Sequence, residues 1–172
     1  MIASSYVSLL RKPGFASYLI AEFLGVMNDN ILRMTLSYMA LSIGFVTGAE
    51  NAVSAMGVAI VGAIFIIPFL LFSGIAGNIA DRYNKRTVLI FTKSAEIFTT
   101  LLAIFIMPYE IFWLNLIVLF LFATQSTFFS PAKYGFLPEI FTEQELSRAN
   151  GIVEMSVYTG IILGLFLGGV LF

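Results

Sequence analysis

Residues 52–80 read AVSAMGVAIVGAIFIIPFLLFSGIAGNIA, an apolar run of 29 residues without one charged side chain. A helix needs about 20 such residues to span a membrane, because the hydrocarbon core is about 30 Å thick and each helical residue adds about 1.5 Å. This run therefore predicts a transmembrane helix that is longer than the membrane is thick and must tilt or protrude.

Four further segments have the same apolar character: 15–46, 87–107, 111–130 and 149–172. Over all 172 residues, 59% are hydrophobic and only 11% are charged, whereas a soluble domain carries about 25% charged residues. We therefore predict an all-α membrane protein, a polytopic helical bundle with about five transmembrane helices.

The one long connection lies between the fourth and fifth segments. Pro131 and Pro138 predict an irregular stretch there, because proline disfavours helix in the residue before it. Thr142 and Glu145, three residues apart, have the spacing of a capping box. They predict a short helix over residues 143–149 that leads into helix five.

Composition excludes several functions. A net charge of −1 provides no basic field for nucleic acid, and the chain contains neither cysteine nor histidine. Disulfides, thiol nucleophiles and histidine-based metal or general-base sites are therefore excluded. We expect no enzyme activity, no cofactor and no bound metal.

The basic residues indicate the orientation. They lie before helix one, between helices two and three, and near the link between helices four and five, whereas residues 48–51 and 108–110 contain none. This bias places the N-terminus in the cytoplasm, and an odd number of spans then places Phe172 outside. Because the last apolar segment has no polar flank, we expect the chain to be the truncated half of a longer protein.

Helix one carries Glu22, Asp29 and Arg33 within about 40° of one another on one face. Charges at membrane depth are costly, so this stripe is expected to face a cavity or partner helices rather than lipid. Two interpretations remain open: the stripe belongs to a substrate pathway, or Asp29 and Arg33 merely neutralise each other.

Helix three carries Lys93 and Glu96, three residues apart. For this pair we favour a structural role, in which the two form a local ion pair and Lys93 extends toward the cytoplasmic membrane surface.

Between helices two and three the chain reads GNIADRYNKR over residues 77–86. An ordinary basic loop would explain the charges but not the spacing from glycine to aspartate. The string resembles the cytoplasmic motif G-x-x-x-D-R-x-x-R-R of the major facilitator superfamily. The resemblance implies a role in conformational gating for Gly77, Asp81, Arg82, Lys85 and Arg86.

Three further strings resemble the lysophospholipid transporter branch of that superfamily: NDN at 28–30, SPAKYG at 130–135 and ANG at 149–151, followed by Glu154. The match covers residues 15–172. It implies a fold of twelve helices in two halves, with residues 1–172 in the N-terminal half, in a bacterial inner membrane. The implied activity moves lysophospholipids from the outer to the inner leaflet for re-acylation.

The resemblance also implies partners and a substrate path. Relatives are often fused to, or work beside, an acyltransferase and acyl-carrier-protein synthetase, and the remaining half of the transporter and membrane lipids are further partners. Asp29, Asn30 and Lys133 match residues associated with the substrate path, and we expect all three to border one cavity. Arg33, Tyr134 and Glu22 are added as polar candidates, since a phosphate head group needs cationic or hydrogen-bonding contacts. The alternative for Lys133 is an interfacial cation that extends to the membrane surface.

Helix five carries Gly160, Gly164 and Gly168 at four-residue spacing. Such a face lets another helix approach closely, and packing within the chain is favoured over dimerisation. The ridge is similar to a glycine motif of drug antiporters, but Leu165 stands where that motif has proline, which disfavours an antiporter.

Two other functions stay open at this point. The chain is either part of another facilitator transporter, for a drug, a sugar or an organic ion, or a membrane anchor that docks an acyltransferase without transport. The absence of histidine excludes the H-x-x-x-x-D motif of glycerolipid acyltransferases from this chain.

Overall fold

The structure is a computed structural model that describes residues 8–47 and 50–171. Within these ranges the chain is almost wholly helical and contains no β-strand, which confirms the predicted all-α bundle. The long helices are α1 (Phe15–Thr47), α2 (Glu50–Arg82), α3 (Lys85–Ile106), α4 (Phe112–Ile140) and α5 (Glu143–Leu171), with a 3₁₀ turn at Met107–Tyr109 between α3 and α4. The predicted connection at residues 48–51 lies partly outside the described residues.

Four segments of the described chain are long and apolar enough to cross a membrane: Val53–Arg82, Lys85–Tyr109, Phe112–Ile140 and Glu143–Leu171. The protein is therefore a multi-pass membrane protein. α1 is not among these four segments. It has 33 residues, about 50 Å of helix, and packs along α5 and α2, so its passage through the membrane stays a prediction.

Helix α4 continues through Pro131 and Pro138 to Ile140, so the predicted irregular stretch is wrong. A proline removes one backbone hydrogen bond, but neighbouring helices in a membrane bundle can satisfy the carbonyl that it frees. Here Ala132 and Leu137 are buried in the core at 0% and 1% exposure. Their packing holds this part of the chain helical.

The predicted start of a helix after Thr142 is confirmed, but the helix is not a short separate one. Glu145 Oε2 accepts hydrogen bonds from the backbone N–H of Thr142 at 3.1 Å and from its hydroxyl at 3.0 Å. Residues 143–149 are the first turns of α5, which runs without a break to Leu171.

The glycine face of α5 packs against α1. A Cβ atom on Gly164 would lie 2.5 Å from the backbone oxygen of Met27, and one on Gly168 would lie 2.8 Å from that of Ile31. Only residues without a side chain allow this separation, so the expected packing within the chain is confirmed.

Two apolar clusters hold the bundle together. One, around Phe15, Leu137 and Val153, lies at the end of the bundle that carries the α2–α3 and α4–α5 connections, which we call the link end. The other, around Leu36 and Phe122, lies toward the opposite end. The polar residues of α1, α3 and α4 fall between these clusters.

Candidate functional site

A cavity of about 140 Å³ lies inside the bundle between α1, α3 and α4. Its charged lining residues are Glu22 and Asp29 from α1, Lys93 and Glu96 from α3, and Lys133 from α4. Three carboxylates and two ammonium groups thus share one small space, with a formal charge of −1. Ionisable groups at membrane depth are costly to bury and mark functional sites, so we take this cavity as the candidate site.

Lys133 and Glu22 form a buried ion pair that joins α4 to α1. The distance from Lys133 Nζ to Glu22 Oε1 is 2.6 Å, and the two residues are 8% and 3% exposed. Lys133 turns inward, so its interpretation as an interfacial cation is wrong. Tyr134 is 61% exposed and is not among the cavity-lining residues, although its ring centre lies 5.5 Å from Lys133 Nζ.

Lys93 and Glu96 form a second ion pair, with 2.7 Å between Nζ and Oε2. Both side chains occupy the space into which a side chain on Gly25 would project, and Lys93 Nζ lies 4.3 Å from the centre of the Phe129 ring. The predicted ion pair is confirmed, but the predicted extension of Lys93 to the membrane surface is wrong. Gly25 lies on the same face of α1 as Glu22, and its lack of a side chain leaves the space that Lys93 and Glu96 fill.

Asp29 accepts a hydrogen bond through Oδ2 from Ser126 Oγ at 2.9 Å. Ser126 Oγ in turn accepts one from Gln125 Nε2 at 3.0 Å. Because Ser126 donates its only hydroxyl proton to Asp29, the amide nitrogen of Gln125 must face Ser126. Asp29 Oδ1 and Gln125 Oε1 are left buried without a hydrogen-bond partner among the described residues, so a ligand that donates hydrogen bonds could satisfy them.

The polar residues predicted to form one stripe on helix one lie in two different places in the structure. Glu22 and Asp29 line the cavity, whereas Asn30 and Arg33 are not among its lining residues. Arg33 donates to Asn30 Oδ1 at 2.8 Å. The described residues include no Asp29–Arg33 ion pair, so mutual neutralisation of these two is wrong.

The separation of Asn30 from the cavity follows from helix packing. Its Cβ atom lies beside Gly164 of α5, and Arg33 lies over the ring of Phe65 on α2, 5.3 Å from its centre. The expectation that Asp29, Asn30 and Lys133 border one cavity therefore holds for Asp29 and Lys133 and is wrong for Asn30.

Sequence reasoning missed the polar residues of α4 that complete the site. Gln125 and Ser126 line the cavity, and their only sequence signal is that they are polar within an apolar helix. A further hydrogen bond, from Asn28 Nδ2 to Thr100 Oγ1 at 2.8 Å, joins α1 to α3.

The α2–α3 link carries the residues for which a gating role is predicted. Asp81, Arg82 and Arg86 are exposed. Lys85 Nζ lies 3.7 Å from Glu139 Oε1, at the end of α4. Their role in conformational change stays a prediction.

The chain matches one known protein family over most of its length. The family model of the Major Facilitator Superfamily matches residues 18–172. The chain belongs to the major facilitator superfamily. This confirms the resemblance that the string at 77–86 indicates.

Several curated proteins similar to this chain are named Lysophospholipid transporter LplT. The chain is 28% identical over 163 residues to the Lysophospholipid transporter LplT of Escherichia coli (strain SE11), covering 94% of the chain and 37% of the relative. It is 29% identical over 161 residues to that of Salmonella arizonae, covering 93% and 37%, and 28% identical over 174 residues to that of Photorhabdus laumondii, covering 99% and 39%. The chain therefore spans less than half the length of these relatives. No solved structure gives a significant match.

Proposed function

We propose that the chain is the N-terminal part of a transporter that moves lysophospholipids from the outer to the inner leaflet of a bacterial inner membrane for re-acylation. The observation that carries this proposal is the charged cavity, in which two lysines and three carboxylates lie together between membrane-spanning helices. Similarity to relatives named as lysophospholipid transporters supports the substrate class.

The cavity suits a zwitterionic head group. The phosphate of a lysophospholipid is an anion that can replace a carboxylate as the partner of Lys133 or Lys93. An ethanolamine ammonium group can then pair with a carboxylate that the phosphate displaces, or with the unpartnered Oδ1 of Asp29. Because each exchange replaces one ion pair with another, binding leaves no isolated charge inside the bundle.

The proposed transport also requires the remaining half of the transporter and an acyltransferase. The remaining half supplies the other wall of the path and the surface against which the link residues Asp81 and Arg82 gate. An acyltransferase with an acyl-carrier-protein synthetase, fused or separate, re-acylates the product. The basic link end faces the cytoplasm, where that reaction takes place.

The test is uptake of lysophosphatidylethanolamine by spheroplasts that carry the full-length transporter. We expect Lys133→Ala to abolish uptake at equal membrane abundance. Lys133→Arg should retain part of it, because arginine keeps the charge but changes the geometry of the phosphate contact.

Lys12→Ala is the matched control. Lys12 also pairs with a glutamate at 2.6 Å, but this pair lies outside the cavity and is more exposed. Uptake should persist in this variant. Wild-type transport of a soluble drug, sugar or organic ion without any lysophospholipid uptake would contradict the proposal.

A further inference from the structure

A second and larger space adjoins the charged cavity. It is a groove of about 630 Å³ that is lined mainly by α3 and α4, with one lining residue from α2. Its exposed lining is almost wholly apolar and includes Ile79 from α2, Phe91 and Ala95 from α3, and Leu121 and Phe128 from α4.

The threonines that line the groove do not make it polar. The hydroxyl of Thr92 donates to Val88 O at 2.9 Å, and that of Thr124 donates to Phe120 O at 2.7 Å. Thr99 likewise donates to a backbone oxygen of its own helix. Because these hydroxyls are satisfied within their helices, the side chains offer a ligand mainly their methyl groups.

The groove has the length of one leaflet of the membrane. Its lining on α3 runs from Thr87 to Thr99, a rise of about 18 Å along the helix axis. Half of the hydrocarbon core is about 15 Å thick. A single extended acyl chain therefore matches both the length of the groove and its chemistry.

Gln125 lies at the boundary between the two spaces and lines both of them. It is 7% exposed, and its Oε1 is buried without a partner in the described part of the chain. A buried acceptor without a partner is unfavourable, so this position favours a ligand that donates a hydrogen bond where a polar region meets an apolar one.

A lysophospholipid has a hydrogen-bond donor between its polar head and its apolar chain. Its free glycerol hydroxyl lies between the phosphate head and the single acyl chain. In a diacyl phospholipid the same carbon carries an ester, which has no proton to donate.

We propose that the acyl chain of the lysophospholipid lies in the α2–α3–α4 groove, and that Gln125 Oε1 accepts a hydrogen bond from its free glycerol hydroxyl. Gln125 is thereby a specificity-determining residue that distinguishes lysophospholipids from diacyl phospholipids. This inference rests on the proposed function and adds to it the place of the tail and the atom that selects the substrate.

The first test compares two substrates in the full-length transporter. One is lysophosphatidylethanolamine, and the other is the same molecule with its glycerol hydroxyl methylated. Wild-type uptake should favour the free hydroxyl by about 2- to 10-fold, the equivalent of one net hydrogen bond. Gln125→Met, which keeps the length of the side chain but removes the amide, should abolish this preference.

Asn115→Leu is the matched control. Asn115 is also a buried amide of α4 with an unpartnered oxygen, but it lies outside both spaces. The preference for the free hydroxyl should persist in this variant. Should Gln125→Met not fold, Gln125→Leu provides the same comparison.

The second test fills the groove. Ala95→Trp should reduce uptake of long-chain lysophosphatidylethanolamine by about tenfold or more, because the indole occupies volume that the acyl chain needs. A short-chain analogue should be affected less. Ile97→Trp is the control, since Ile97 lies on the same helix but is 65% exposed and outside the groove.

The outcomes separate this inference from the proposed function. A wild-type transporter that moves no lysophospholipid at any chain length would overturn both. Active wild-type transport with no preference for the free hydroxyl, or with the same preference in the Gln125 variant, would overturn the inference alone. Unchanged chain-length dependence in Ala95→Trp would do the same.

Discussion

Two lysine–glutamate pairs in this protein have the same length and different surroundings. Lys133 and Glu22 lie 2.6 Å apart between α4 and α1, with side chains that are 10% and 4% exposed. Lys12 and Glu145 also lie 2.6 Å apart, at the link end, with side chains that are 29% and 30% exposed. From the distance alone, the two ion pairs would be expected to contribute equally to stability.

Their surroundings give them different roles. At the link end, Lys12 also donates to the backbone oxygen of Ile140, and Glu145 caps α5 through Thr142. Water competes for both groups, so this pair organises a helix junction without depending on one contact. Inside the bundle each charge depends on its partner, because a lone buried charge is costly. A ligand that opens the buried pair must therefore replace the partner that each charge loses.

The largest effect is expected from Lys133→Met. This change leaves Glu22 buried without its cation, and breaking a buried pair in this way costs about 3–5 kcal/mol. Thermal unfolding of the purified full-length transporter should show a strong loss of stability.

The double variant Glu22→Gln with Lys133→Met separates the role of the pair in stability from its role in transport. Removing both charges should restore most of the stability, since the buried carboxylate is gone, but it should not restore transport. If the double variant transports lysophospholipid normally, the buried pair holds the helices together and has no part in the substrate path.

A smaller loss is expected from Lys93→Met. Lys93 and Glu96 are somewhat more exposed than the first pair, at 20% and 11%, and a hydrogen bond to a charged group contributes about 1.5–3 kcal/mol. Thermal unfolding should place this variant between Lys133→Met and the wild type. A stability equal to that of the wild type would indicate that the Lys93–Glu96 pair does not contribute to the free energy of unfolding.

A still smaller effect on stability is expected when the neutral contact between Asn28 and Thr100 is removed. A double-mutant cycle with Asn28→Ala and Thr100→Val should give a coupling of about 0.5–1.5 kcal/mol, the net contribution of a neutral hydrogen bond. Unfolding free energies of the four proteins measure it. A coupling of zero would mean that this contact does not join α1 to α3.

The smallest effect on stability is expected from Asp81→Asn in the α2–α3 link. The side chain is exposed, and the change keeps its shape, so abundance and unfolding should be close to wild type. Transport should nevertheless fall, because the charge available to a neighbouring helix terminus is lost. Unchanged uptake of lysophosphatidylethanolamine at equal abundance would leave Asp81 as a residue of membrane topology alone.

The interior of the bundle was only partly predictable from the sequence. Glu22 and Asp29 could be assigned to a protected face, because lipid does not tolerate them. Lys93 could not be placed, because a lysine near a helix end can extend to water as readily as it can turn inward. Its position depends on Gly25 and Phe129, which belong to two other helices.

The sequence by itself determined the membrane class, the all-helical bundle and the glycine face of α5. These follow from composition, run length and periodicity, which are local properties of the chain. The tertiary structure alone decided that α4 passes through two prolines, that Asn30 and Arg33 leave the cavity, and that Gln125 borders two spaces. Each of these depends on which helix lies opposite a given side chain, and that is set by packing between segments distant in the chain.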